Sequence, residues 1–167
     1  GHGDVKRQLL IMRSLTEAMR ALILVSAEIM EEAEKEISKM NLEAFLIPII
    51  KGWCTELAQE VTSLGVQIHG GMGYIEETGA AQIMRDARIL PIYEGTNAIQ
   101  ANDLMFRKTL KDSGETAQQI LTIIKSDVQS DGEILKSVHK CEEVLDFIGQ
   151  NKDDKESLSC VSHDFMM

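Results

Sequence analysis

Aromatic residues make up only 4% of the chain. A β-sandwich core leans on aromatic and β-branched side chains, so this scarcity, beside 9 Met and abundant Leu, Ile and Ala, favours helices packed on helices. An all-α fold is the expectation. The three cysteines, Cys54, Cys141 and Cys160, are odd in number and widely spaced, with no Cys-x-x-Cys pair. That excludes a disulfide framework and a zinc site, and fits a reducing compartment. Positive charge is also short: the formal net charge is −10, and with no basic stripe, nucleic acid and anionic membrane surfaces are poor partners. No apolar run reaches the ~18 residues of a transmembrane helix, and no signal-peptide pattern opens the chain, so a soluble, intracellular protein is expected.

What is present is helical periodicity. With 167 residues and 44% hydrophobic content, one domain with a substantial core is affordable. From residue 4 to about 40, Val5, Leu9, Met12, Leu15, Met19, Leu22, Ile29, Ala33 and Ile37 recur at three- and four-residue steps between charged residues. This spacing predicts one long amphipathic helix, roughly 50 Å in length, that needs a second long helix beside it. Phe45, Leu46, Ile49, Ile50, Trp53, Leu57, Val61, Leu64 and Ile68 supply the partner. Pro48 fits best in a first turn, so that helix is expected to begin at residues 44–48 after a turn over 39–43. The glycines at 70, 71 and 73 end it.

A short helix is expected over 79–87 and another over 97–109, with Ile99, Leu104 and Leu110 inward. After a break at 111–114, two apolar faces (Ala117 to Val128, Leu135 to Ile148) read as a helical hairpin turning at 130–132. From residue 151 the pattern is lost, and residues 150–167 read as a flexible tail. The opening Gly1-His2-Gly3 reads as a tag remnant or the cut end of a longer protein.

Two stretches carry chemistry. Arg85 to Gln100 sets the carboxylate of Glu94 on a loop marked by Pro91 and Gly95, with Tyr93 as an apolar neighbour able to exclude water. A general base wants that setting, although most loop glutamates are solvated surface charges. Upstream lies Gln67-Ile68-His69-Gly70-Gly71-Met72-Gly73-Tyr74. His69 at a helix end fits a dipole-facing structural role. Arg85, Asp86 and Arg88 are expected to form an ion-pair network that holds the Glu94 loop.

In this order and separation, the two stretches resemble the C-terminal helical domain of the acyl-CoA dehydrogenases, densely over residues 67–100 and more loosely from 5 to 110. The resemblance implies an up-down, four-helix-bundle-like domain over 4–110, followed at 115–149 by a helical extension like that of larger members. It implies that Glu94 is the base that takes the α-proton of an acyl-CoA thioester while FAD takes the β-hydride. By the same resemblance Gly95 lies on substrate, Thr96 and Asn97 contact FAD, and Gln67, Gly70 and Gly71 approach the FAD of a neighbouring subunit. Many members carry Gln where this chain has Ala98, so any flavin contact from that side chain is absent. Gln100 reads as a structural or interface polar residue. The family's Arg-x-x-Phe-Gly element is also absent. No metal is implied.

A homo-oligomer is implied, with an electron-transfer flavoprotein or similar acceptor as redox partner. The compartment would be the cytoplasm in a bacterium or the mitochondrial matrix in a eukaryote. Because the family's N-terminal helical and central β-domains form most of the site, the isolated polypeptide is expected to fold, bind FAD poorly and not turn over. A helical interaction or oligomerisation module, or a non-catalytic paralogue that binds rather than oxidises, are the alternatives.

Overall fold

A computed structural model describes residues 1–36, 39–128 and 131–167, and among them the regular structure is helical, with no strand. Helix α1 spans Gly3–Ala33 and α2 spans Met40–Ile68, and the two pack along each other as a hairpin. Short helix α3 (Gly71–Tyr74) and a 3-10 turn (Glu76–Thr78) lead into α4 (Ala80–Ala87), which lies against α2. Helix α5 (Asn97–Asn102) continues as a π-helical stretch over Asp103–Thr109. Then come α6 (Glu115–Val128), α7 (Gly132–Gln150) and α8 (Lys155–Met166).

The α1–α2 boundary differs from the sequence expectation. Helix α2 starts at Met40, so Pro48 lies inside it, eight residues from its start. Proline there forfeits one intrahelical hydrogen bond. Burial of Leu42, Phe45 and Leu46 on the first turns, together with Pro48 itself, offsets that loss by seating the segment in the core. Ile37 and Ser130, assigned from sequence to the first helix and to the α6–α7 turn, lie outside the described residues.

The core sits where the N-terminal half of α2 meets α5 and the later helices. Phe45, Ala101, Leu104, Ala117 and Met166 form one buried cluster, flanked by Ile49, Ile120, Leu145 and Phe165. Met105, Ile148 and Leu158 form a second. Leu104 is inward as expected, whereas Ile99 is 60% exposed; five positions apart at 3.6 residues per turn, the two face roughly 140° away from each other, and the π-helical winding begins only after Asn102. The wider winding shows in the bonds Leu110 N–H to Met105 C=O (2.9 Å) and Thr109 Oγ1 to Leu104 C=O (2.9 Å), both spanning five residues.

Residues 155–166 are helical where an aperiodic, flexible tail was expected. Asp154 caps the helix, accepting from the Ser157 backbone N–H at 3.1 Å. Leu158 is 1% exposed, and Ser162 and Met166 are buried behind it. The four-residue steps from Leu158 through Ser162 to Met166 make a face that only tertiary contacts reveal, since Ser occupies a core position. Ser159 and Ser162 hydroxyls both donate to Asn102 Oδ1, at 3.1 and 3.0 Å, tying α8 to the end of α5.

Candidate functional site

The loop over residues 88–96 joins α4 to α5, and local backbone bonds shape it. The Leu90 N–H donates to the Ala87 carbonyl and the Tyr93 N–H to the Ile89 carbonyl, both at 3.1 Å. Asn97 N–H closes the loop onto the Pro91 carbonyl at 3.0 Å. Pro91 is buried and cannot donate, so it can serve this loop only as an acceptor. Glu94, at the turn, has a φ of +54°, and Gly95 follows at +88°. A left-handed backbone is ordinary for glycine but strains a residue with a Cβ by about 1–2 kcal/mol. The surroundings hold it there: Gln100 Nε2 donates to the Glu94 carbonyl at 3.3 Å. A Cβ on Gly95 would press against that same amide at 3.2 Å, so Gly95 gives Gln100 its room.

Asn97 anchors the loop to α2. Its side chain is 4% exposed. The Nδ2 group donates to Glu56 Oε1 at 2.8 Å and faces Thr55 Oγ1 at 3.0 Å and the Gly52 carbonyl at 3.3 Å. Oδ1 accepts from Lys51 Nζ at 2.8 Å. A step further along α2, Gln59 Nε2 donates to the Ala87 carbonyl at 2.6 Å, pinning the end of α4. Lys51, Thr55 and Gln59 recur every fourth residue, so one polar stripe along α2 receives both ends of the loop. The sequence reading passed over this stripe; its spacing was the available signal.

The Glu94 carboxylate is exposed in this chain. Tyr93, expected as a water-excluding neighbour, is itself 47% exposed, and Ile83, Ile89, Ile92 and Ile99 on the adjoining segments are exposed too. The enclosure that a base needs must therefore come from outside these residues. An apolar cavity of about 370 Å3 lies elsewhere, between α2 and α6–α8, lined by Phe45, Ile49, Leu121, Leu145 and Phe165.

The glycine stretch is at another place. Gln67 sits exposed at the end of α2, its carbonyl accepting from the Gly70 N–H at 3.0 Å. Gly70 has a φ of +60°, and a Cβ on Gly70 or Gly71 would meet nothing within 4 Å, so this backbone is open to an approaching group. Gly73 is different: a Cβ there would collide with the Val66 carbonyl, which makes Gly73 a packing residue. From Glu56, the last α2 residue bonded to Asn97, to Gln67 is roughly 16 Å along the helix. The structure thus groups Glu94, Gly95, Thr96 and Asn97 in one loop and Gln67, Gly70 and Gly71 at a separate turn.

Two further expectations resolve here. His69 Nδ1 bonds the Gly65 carbonyl at 2.7 Å, the structural role expected of it. Arg85 pairs with Glu76 at 2.7 Å on the surface, not with the Glu94 loop, because α4 turns that side chain toward the preceding 3-10 turn. Thr96 is exposed at the N-cap of α5 without a side-chain cap bond.

Lys51 holds its proton less firmly than an ordinary lysine, chiefly because burial disfavours the charge; attraction to Glu56 and then Glu94 partly offsets this. Burial likewise pushes the Cys54 thiol up. Among the described residues, no group of three or more His, Cys, Asp or Glu side chains could hold a metal, and no helix is long and apolar enough to cross a membrane.

Comparison with known proteins converges on one family. Residues 1–108 match the family described as "Acyl-CoA dehydrogenase, C-terminal domain". The chain is 55% identical over 140 residues to a 3-methylmercaptopropionyl-CoA dehydrogenase of Ruegeria pomeroyi, a match covering 81% of this chain and 23% of that protein. It is 33% identical over 136 residues to the broad-specificity linear acyl-CoA dehydrogenase FadE5 of Mycobacterium tuberculosis, covering 77% and 22%. A solved structure titled "Bd2924 apo-form" superposes with a TM-score of 0.56 at 21% identity, over 91% of this chain and 33% of that one, which speaks to the fold alone. The chain spans less than a quarter of the length of these two curated relatives. It belongs to the acyl-CoA dehydrogenase family, as a C-terminal helical domain.

Proposed function

We propose that this domain supplies the catalytic base of an FAD-dependent acyl-CoA dehydrogenase, with Glu94 removing the α-proton of an acyl-CoA thioester as a 2-enoyl-CoA forms. The observation that carries the reading is the backbone of Glu94. A glutamate held at a φ of +54° by Gln100 and by the Pro91–Asn97 closure stores strain that a solvated surface charge has no need of. Such strain is what a carboxylate aimed at a fixed point requires.

The α-hydrogen of a thioester is weakly acidic, so a positioned carboxylate contributes about 10²–10⁴-fold. Gly95, with no side chain, leaves room for the thioester beside the base. FAD, when bound, accepts the β-hydride, which no protein side chain can do. The open backbone at Gly70 and Gly71, together with Gln67, suits a polar or anionic part of that cofactor. In the loop, Thr96 offers an exposed hydroxyl, while Asn97, whose side chain is engaged with α2, serves the flavin only through the loop conformation it fixes. An electron-transfer flavoprotein or similar acceptor would be the redox partner of the holoenzyme.

Exposed apolar side chains on α1, Leu24 at 67% among them, favour burial against the remaining chain or a second copy in a homo-oligomer. By itself the domain leaves Glu94 open to water, and it is expected to bind FAD weakly and not turn over. Glu94→Gln in the full-length holoenzyme is the test. Loss of acyl-CoA oxidation with FAD retained supports the proposal, and unchanged oxidation refutes it.

A further inference from the structure

Helix α8 lies beyond residues 1–108, the part of the chain that matches the family, yet it grips both elements that hold the Glu94 loop. The first is α5. Its Gln100 Nε2 donates to the Glu94 carbonyl at 3.3 Å, and its Asn97 N–H donates to the Pro91 carbonyl at 3.0 Å. At the other end of α5, the Ser159 and Ser162 hydroxyls of α8 converge on Asn102 Oδ1 at 3.1 and 3.0 Å. Met166 of α8 shares one buried cluster with Ala101 of α5.

The second element is the turn of α2 that clamps Asn97. There the Gly52 carbonyl and Glu56 Oε1 both accept from Asn97 Nδ2, at 3.3 and 2.8 Å. A glycine inside a helix costs about 1 kcal/mol relative to alanine, and the reason for this one lies on α8: a Cβ on Gly52 would run into the sulfur and terminal methyl of Met166. The missing side chain is the seat in which the end of α8 rests. One turn along α2, His163 Nε2 stands 3.7 Å from the same Glu56 oxygen that Asn97 bonds.

We propose that α8 is a brace for the base, with Met166, Ser159 and Ser162 as positioning residues that act on Glu94 through α5. The inference rests on the reading of Glu94 as the base. Helix α5 has only 6 residues before its π-helical stretch, and so short a helix owes its place to what it packs against. With α8 seated, α5 is fixed at Asn97 by α2 and at Asn102 by the two serines, and the loop takes its position from α5. The left-handed backbone of Glu94 persists only while those surroundings impose it. A misplacement of about 1 Å can cost on the order of a hundredfold in rate, so a small shift of α5 is enough to be read in turnover.

The test removes residues 155–167 from the full-length, FAD-loaded enzyme. Both kcat and the exchange of the substrate's α-hydrogen are expected to fall by about tenfold or more, while KM and FAD content hold. A parent kcat in the deletion overturns the inference. Should the deletion strip FAD or fail to fold, Gly52→Val and the double variant Gly52→Val/Met166→Ala decide. The first fills the seat of α8 and is expected to lower kcat; the second clears room for the new side chain and should restore most of it. A parent kcat in the first, or a loss that the second leaves unrelieved, also overturns the inference. Glu94→Gln separates the two readings. If it retains α-proton exchange, the base assignment itself fails; if it abolishes exchange while kcat survives the loss of α8, only the role of α8 fails.

Discussion

Lys51 and Asn97, 46 positions apart in sequence, meet at 2.8 Å and fasten the Glu94 loop to the middle of α2. Asn97 makes this joint at the first residue of α5, three residues after Glu94, so the loop cannot slide without breaking it. Its buried amide spans a lysine, a threonine, a glutamate and a backbone carbonyl.

Asn97→Ala should therefore destabilise the domain by about 2–3 kcal/mol, because it leaves partners on α2 unsatisfied in a desolvated place. Urea unfolding monitored by far-UV circular dichroism measures this. A loss under ~0.5 kcal/mol would show that the network is replaceable by water.

The glycines after α2 should separate by role. Gly73→Ala forces a Cβ into the Val66 carbonyl, part of a backbone that cannot turn aside, and should cost about 1–3 kcal/mol. Gly71→Ala adds a methyl to open space and should leave stability within ~0.5 kcal/mol. In the intact enzyme, Gly71→Ala is instead expected to weaken FAD retention, measured as the flavin-to-protein absorbance ratio.

Helix α8 should loosen in acid. The Asp154 carboxyl titrates below its ordinary value because the Ser157 side chain and then the Ser157 backbone N–H bond its charged form. With the folded value depressed, the contribution is present above the unfolded carboxylate range and is lost as pH falls through the folded value. Amide protection over residues 155–166, taken relative to the intrinsic exchange rate at each pH, should fall at the acidic end, and Asp154→Ala should show the lower protection already at neutral pH. Identical exchange in the variant would mean the cap adds nothing to what Leu158 and Met166 provide.

Much of this fold was legible because its helices are long and one-sided. The three- and four-residue steps of α1 and α2, the glycine stop at Gly70 and the break before α6 follow from local rules that tertiary contacts only reinforce. Local rules failed where burial overruled them. Pro48 marked a first turn by propensity, yet the buried side chains ahead of it carry α2 back to Met40. Helix α8 escaped notice because Ser162 fills a core position opposite Asn102, a partner 60 residues away.

The same division holds at the site. Pro91 and Gly95 announced a loop around Glu94, and the family motif named the residues. The left-handed backbone at Glu94 was not legible, since a glutamate is the wrong residue for it on propensity; Gln100 and the Asn97 joint impose it. Nor could Asn97 be seen to be an internal clamp. Its partners lie 41 to 46 positions upstream.

The central claim is that the Glu94 carboxylate takes the α-proton. Exchange of the substrate's α-hydrogen with deuterated water, followed by NMR on the full-length, FAD-loaded enzyme, tests it without relying on turnover. Glu94→Gln is expected to abolish that exchange while the flavin stays bound; exchange continuing at the parent rate in that variant would contradict the account.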